Sequence, residues 1–358
     1  MNSANNNCVM RELNPPTLAN GSYRRTRGGI FIPERNVLLD TLKKTIVPPD
    51  KKLNYIPYGD ELNSLEIAQK TGQAVLFAGP TGVGKSMLAL KYAQNTGLPF
   101  LYSTCDPDKT QGQLMGKPNL LFSVVELDGK PFVISNQVFM PSNISIAGLA
   151  GEKVIIFIDE LHKLRKDVDV LFHPLLQERI VNLSDHLGPG EIYNLHPESL
   201  IIFSLNPYYG DSGIEKVGPA MRQRVKTLYF PMITDENKIF EIVKANVDGY
   251  ENLAKDKQET FKRIVLMSMA IARIYLEYKK QGTTNQDDLT LKNELKNSLP
   301  LINEAPSPRL LVNVAKCIVA GQNPRDALIE GLFNAITNDF GLTTNGFLTQ
   351  AMSWYNIR

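Results

Sequence analysis

Cysteine is scarce in this 358-residue chain, which holds only Cys8, Cys105 and Cys317. An odd, widely spaced set gives no disulfide framework and no paired spacing for zinc, and it fits a reducing compartment. Histidine is nearly as sparse: His162, His173, His186 and His196 follow no metal-ligand pattern, and core or surface roles are expected for them. No run approaches the eighteen or so apolar residues that a membrane-spanning helix requires. The opening residues, MNSANNNCVMREL, hold no apolar stretch of signal-peptide type, so a cytoplasmic location is expected. An excess of one charge sign is also missing. With 39 basic and 37 acidic residues the formal net charge is +2, which gives no global pull toward nucleic acid or membrane. What remains is an ordinary globular composition, long enough for a large core and two domains.

Against this plain background, residues 79–86 read GPTGVGKS, a complete G-x-x-x-x-G-K-[ST] phosphate-binding loop. A bare match arises by chance in about one chain per hundred of this length. The flanks are those that the motif needs. Ala74–Ala78 is short and apolar, as in a buried parallel strand, and Met87–Asn95 has helical spacing that stops at Gly97 with Pro99 beyond. Gly79, Pro80, Thr81, Gly82, Val83, Gly84, Lys85, Ser86 and Met87 are therefore expected to bind nucleotide. The glycines free backbone N–H groups to turn around an anion, Lys85 reaches the β- and γ-phosphates, and Ser86 holds Mg²⁺.

Further apolar runs recur with helical stretches between them: Pro99–Ser103, Val154–Ile158, Leu200–Ser204 and Lys226–Phe230. Such alternation predicts an α/β fold, a parallel sheet covered by helices on both faces. Two segments break the rhythm. Residues 121–140, centred on Asp128-Gly129, and 178–197, centred on Gly188-Pro189-Gly190, read as inserted hairpins. Residues 1–50 read as irregular, with Arg24, Arg25 and Arg27 as a small solvated basic cluster. Beyond residue 233 only helices are expected: 236–247, 259–280, 309–320 and 325–337. The expected division is thus 1–50, a nucleotide-binding domain over 51–232, and an all-helical lid over 233–358.

The run 154–160, VIIFIDE, puts two acids at the end of a strand. Asp159 can hold Mg²⁺ directly or through water, and Glu160 can orient and deprotonate a water that attacks the γ-phosphorus. Asn206, after the Leu200–Ser204 strand, can contact the γ-phosphate or that water. Pro219–Val225 carries Arg222 and Arg224, and Ser307-Pro308-Arg309 opens a helix that can close over a nucleotide between domains.

In this order, GPTGVGKS at 79–86, IDE at 158–160, HPLLQERIVNL at 173–183, SLNPYYG at 204–210, PAMRQRV at 219–225 and SPRLLVNVAKCIVAG at 307–321 resemble an AAA+ ATPase of the MoxR branch. Within that branch the pattern is similar to the CbbQ/NirQ/NorQ subfamily, with GvpN as a relative, over about residue 55 to the end. The resemblance implies a P-loop AAA+ three-layer sandwich followed by a small helical lid. It also implies ATP and Mg²⁺ as cofactors and a ring, usually a hexamer, with each nucleotide at a subunit boundary. Arg222 or Arg224 would serve the neighbour as an arginine finger, and Arg309 would be the sensor-2 residue. The implied partner carries a von Willebrand factor A domain, and the implied output is remodelling of a protein client. A motor acting on DNA or RNA is the alternative; near-neutral charge and few lysines in the second hairpin argue against it. Ser86 stands where threonine is common and Met221 where a small polar residue is usual, while residues 1–50 and 278–300 look private to this chain.

Overall fold

The computed structural model describes residues 22–127, 130–165, 170–206, 218–280, 302, 305–337 and 351–357. The Asp128-Gly129 turn, the Pro207–Gly210 stretch and nearly all of 281–304 lie outside the described residues.

Eleven strands appear among them. In chain order they are β1 (Tyr23–Arg25), β2 (Phe31–Pro33), β3 (Ala74–Ala78), β4 (Phe100–Thr104), β5 (Gly116–Leu127), β6 (Lys130–Pro141), β7 (Ile155–Asp159), β8 (Ile180–Asn182), β9 (Ile192–Asn194), β10 (Leu200–Leu205) and β11 (Val225–Tyr229). Five of them form one sheet in the order β11-β3-β10-β7-β4, and every pair in it is parallel. Parallel strands need crossover helices, and those helices cover both faces, so the central strands are apolar along their whole length.

The period of two along each strand divides the core between the faces. Val75, Phe77, Ile155, Phe157, Leu200 and Ile202 join one cluster with Leu88, Ala89 and Tyr92 of the helix Lys85–Thr96. That cluster continues without a break into Ile239, Val243, Phe261, Ile264, Leu311 and Val314 of the C-terminal helices Glu236–Asn246, Lys255–Lys280 and Pro308–Val319. Leu76, Ala78, Ile156, Ile158, Ile201 and Phe203 face the other way, onto Ile144 and Ala147 of the helix Asn143–Ala150 and onto Phe172 and Leu175. The molecule is therefore helix, sheet and helix in three layers with a helical C-terminal portion. No helix among the described residues is long and apolar enough to cross a membrane.

The two insertions are hairpins. β5 and β6 pair antiparallel over twelve residues each, from Gly116 to Pro141, so the first is longer at its base than the 121–140 expected. β8 and β9 pair antiparallel and enclose a short helix, Ser184–Leu187. Arg179 ties this second hairpin to the sheet by donating to the carbonyls of Gly72, His196, Pro197 and Ser199.

Residues 22–50 are not irregular, which corrects the expectation for that part of the N-terminal segment. β1 and β2 form an antiparallel ribbon, and the helix Arg35–Lys43 follows. Phe31 pairs in parallel with Val138, so the ribbon extends the first hairpin into a four-stranded sheet, β1-β2-β6-β5. The same ribbon touches the second hairpin: Thr26 Oγ1 donates to the Leu187 carbonyl, the Arg27 N–H to Glu191, and Arg24 to the Tyr193 hydroxyl. The expected basic cluster is thus part of a bridge between the two insertions, with the Arg25 guanidinium 6.0 Å from the Phe31 ring centre.

Candidate functional site

β3, β7 and β10 all end on the same edge of the sheet, and the chain leaves each of them carrying a polar side chain. The phosphate loop follows β3. Gly82 and Gly84 sit at φ 78° and 98°, a left-handed region that favours glycine, and Gly84 caps the helix Lys85–Thr96. A Cβ on Gly82 would stand 2.5 Å from Ser307 Oγ, so the loop meets the C-terminal helices as closely as backbone allows. The successive N–H groups and the helix N-terminus fit an anion. Val83 is buried, and its carbonyl accepts from the Tyr58 hydroxyl.

Lys85 lies inside this loop. Its Nζ donates to the carbonyls of Gly79 at 2.6 Å and Pro80 at 2.7 Å. Burial lowers its pKa from 10.5 to about 8; Asp159 and Glu160 work against the shift and Arg309 adds to it. Ser86 Oγ donates to Asp159 Oδ2 at 3.2 Å. Two hard oxygen groups so placed suit Mg²⁺, which keeps most of its ligands as water and phosphate oxygens.

Asp159 is the last residue of β7, and Glu160 follows at φ 57°, ψ 39°. This conformation costs a non-glycine residue on the order of 1–3 kcal/mol and clusters at functional sites. It turns the Glu160 carboxylate toward Lys163, whose Nζ donates to Oε2 at 2.7 Å. Asn206 follows β10; its Nδ2 donates to Thr81 Oγ1 at 3.1 Å and its backbone N–H to His162 Nδ1 at 3.3 Å.

These groups surround one small cavity of about 100 Å³ lined by Thr81, Lys85, Ser86, Asp159, Glu160, His162, Ser204, Asn206 and Arg309, among others. A larger cavity of about 330 Å³ adjoins it. Tyr55, Ile56, Tyr58, Met87 and Leu90 form one wall, and Ile242, Asn246, Pro308 and Val312 of the C-terminal helices form the other. Gly82, Gly84, Ser86 and Arg309 border both. A polar chamber beside a largely apolar one suits a ligand with a charged end and a flat, less polar end, as a nucleotide has. Glu61 holds the near wall in place, accepting from the Tyr55 hydroxyl and from the N–H groups of Tyr58 and Gly59.

The residues named from sequence divide in two. Thr81 to Met87, Asp159, Glu160, Asn206 and Arg309 come together around the paired cavities, and Gly79 and Pro80 adjoin them through Lys85. Arg222 and Arg224 do not. The register pairs Val225 with Ala74 and Tyr229 with Ala78, so both arginines precede β11 at the edge of the sheet where β3 begins. The loop leaves β3 at the opposite edge, roughly 13–16 Å away at about 3.3 Å per residue. Arg224 donates instead to the Ala220 carbonyl at 2.5 Å and to Gln177 Oε1 at 2.9 Å. Neither arginine can serve this chain's own cavity. Sequence reasoning missed Tyr102, His162, Lys163 and Ser204. Each lies next to a named residue in space or in sequence; Ser204 opens the SLNPYYG stretch but was given no role there, and the other three belong to no motif.

Residues 74–225 match the family model described as AAA domain (dynein-related subfamily). The parallel sheet and the phosphate loop are accordingly those of the P-loop AAA+ fold. More narrowly, the chain is similar over most of its length to proteins named NorQ, NirQ, CbbQ and GvpN, the group that its motifs resemble. Protein NorQ of Paracoccus denitrificans is 25% identical over 285 residues, 80% of this chain and 88% of its own length. Protein CbbQ of Hydrogenophilus thermoluteolus is 27% identical over 80% of this chain and 89% of its own. Gas vesicle ATPase GvpN of Haloferax mediterranei is 23% identical over 76% and 77% respectively.

Proposed function

We propose that this protein hydrolyses ATP and uses the cycle to remodel or activate a partner protein. The observation that carries the reading is the convergence of Lys85, Ser86, Asp159, Glu160, Asn206 and Arg309 on one small polar cavity. In this reading residues 51–232 bind the nucleotide and 233–358 form the lid. The loop N–H groups and Lys85 hold the phosphates, exchanging the Gly79 and Pro80 carbonyls for phosphate oxygens. Ser86 and Asp159 would hold Mg²⁺, which would supply positive charge beside the phosphate oxygens. Glu160 takes the proton of the attacking water, Asn206 orients that water, and Arg309 reaches the γ-phosphate from the lid. Catalysis of this kind is positioning and electrostatics, with no covalent step on the protein.

Beside Lys85 and Arg309 of the chain's own cavity, the resemblance adds a further cation supplied across a subunit boundary. Arg222 or Arg224 of a neighbouring copy would provide it, which makes the active form a homo-oligomer, a hexameric ring on the resemblance. The names of the relatives, a denitrification regulatory protein and a gas vesicle ATPase, suit an ATPase that serves another protein. A partner with a von Willebrand factor A domain and a protein client complete the reading. Both hairpins present surface for contact; Leu120, Phe122 and Val133 of the first are all more than half exposed.

The first test is Lys85→Ala. Removing the loop's mobile cation should cost about 1.5–3 kcal/mol, at least a tenfold loss of affinity for a fluorescent ATP analogue. Affinity within about twofold of the wild type would sink the assignment. The lowered pKa of Lys85 adds a pH dependence. Only the charged amine binds phosphate strongly, so affinity should be full below pH 8 and fall as pH rises through it. The fall should approach about tenfold by pH 9. A flat profile between pH 7 and 9, measured by calorimetry, would mean that Lys85 is charged throughout or does not touch the phosphates.

A further inference from the structure

We propose that Tyr102 and Ser204 are positioning residues for Asp159, fixing its carboxylate toward the cation beside Ser86 and so setting the affinity for the divalent metal. This rests on the reading of Asp159 as a metal ligand.

The carboxylate of Asp159 receives four donors, each from a different part of the sheet edge. Oδ1 accepts from the Ser204 hydroxyl and from the Glu160 N–H at 3.0 Å. Oδ2 accepts from Ser86 Oγ and from the Tyr102 hydroxyl, both at 3.2 Å. The register explains why these two residues can do this. Tyr102 pairs with Phe157 across β4 and β7, so the two rings lie side by side, 5.7 Å between centres and 29° apart in plane. A tyrosine lying along a strand carries its hydroxyl about two residues onward, and two residues beyond Phe157 on the same face is Asp159. On the other side β10 pairs Phe203 with Ile158, which puts Ser204 beside Asp159; it is 1% exposed. The carboxylate is thus held from both neighbouring strands and from its own backbone, and its rotation about the last side-chain bond is blocked.

A carboxylate locked in this way meets a cation without losing rotational freedom, and outer contacts of this kind tune a metal site by roughly 10–100-fold. Asp159 touches the nucleotide through the metal, so the two residues should matter only when the metal is present. Tyr102 is about half exposed on the edge strand, and Phe in its place keeps the stacking on Phe157 while removing one donor.

The test is binding of a non-hydrolysable fluorescent ATP analogue to the full chain, titrated with Mg²⁺ and repeated in EDTA. Tyr102→Phe and Ser204→Ala should each raise the half-saturating Mg²⁺ concentration by about three- to tenfold. Affinity in EDTA should stay within twofold of the wild type for both. Turnover by Tyr102→Phe should recover at high Mg²⁺, as a kcat near normal with a raised Mg²⁺ requirement. Asp159→Asn separates the two levels of inference. If it raises the Mg²⁺ midpoint and Tyr102→Phe and Ser204→Ala do not, the positioning role is wrong and the metal reading stands. If Asp159→Asn also leaves the midpoint unmoved, both are wrong. An equal loss of affinity with and without metal would make the two residues structural and overturn the proposal as well.

Discussion

Glu160→Gln should bind ATP about as well as the wild type and turn it over about 10²–10⁴ times more slowly, the usual cost of losing a general base. The amide keeps the size and shape of the side chain but cannot take a proton from water. Glu160 earns this role from position: it follows the Asp159 carboxylate, lines the same cavity as Lys85 and Asn206, and occupies a left-handed backbone conformation. Glutamine tolerates that conformation as well as glutamate does, so folding should be unaffected. One further contact changes. Lys163 Nζ loses the ion pair to Oε2, but both partners are partly exposed and such pairs contribute little. The two measurements are phosphate release and binding of a fluorescent ATP analogue. Near-normal turnover with intact binding would move the base to another residue of the cavity.

Much of this site could be read from the chain because its motifs are local. A loop that wraps a phosphate needs glycine at two left-handed positions and a lysine beside them, all within eight residues, so GPTGVGKS and its flanking strand and helix are visible without a structure. The parallel sheet was visible for a similar reason: strands buried on both faces stay apolar throughout, as in VIIFI and LIIFS. Other features depend on register and were invisible. Tyr102 reaches Asp159 only because β4 pairs with β7 as it does, and Ser204 only because β10 takes its place on the other side. Tyr102 belongs to no motif, Ser204 only opens SLNPYYG, and nothing in the spacing of 102, 159 and 204 brings them together. The ribbon of β1 and β2 was hidden differently. Each strand is three residues long, and the strand it pairs with lies about a hundred residues further on. With Gly28, Gly29 and a run of arginines around it, the segment looks like a tail until β6 is present to receive it. The base of the first hairpin read short because Gly116-Lys-Pro-Asn119 has little strand propensity of its own; pairing with β6 imposes it.

The placement of Arg222 and Arg224 leads to the largest expected effect. Both lie at the far edge of the sheet from their own phosphate loop, so a direct role for either in catalysis calls for another copy of the chain. A chain lacking the finger would bind ATP in an intact loop and fail only its neighbour. A Lys85→Ala chain would have the reverse defect, a dead loop with a working finger. Mixing the two should create interfaces in which an intact loop meets an intact arginine, and activity should rise above that of either variant alone. An arginine finger is worth about 10³–10⁵ in turnover, so even a minority of such interfaces should stand far above the background. The variants are Arg222→Ala and Arg224→Ala, each mixed with Lys85→Ala, with chain exchange shown separately by energy transfer between labelled copies. Arg224→Ala carries its own control. Its guanidinium holds the Ala220 carbonyl and Gln177, so a melting curve must show that the turn before β11 survives the change. The positive result is recovery for one arginine and not the other, which also decides which of them is the finger. If the chains exchange and neither mixture recovers, neither arginine acts across a boundary. The cation that turnover needs would then have to come from the partner protein or from a residue of the same chain.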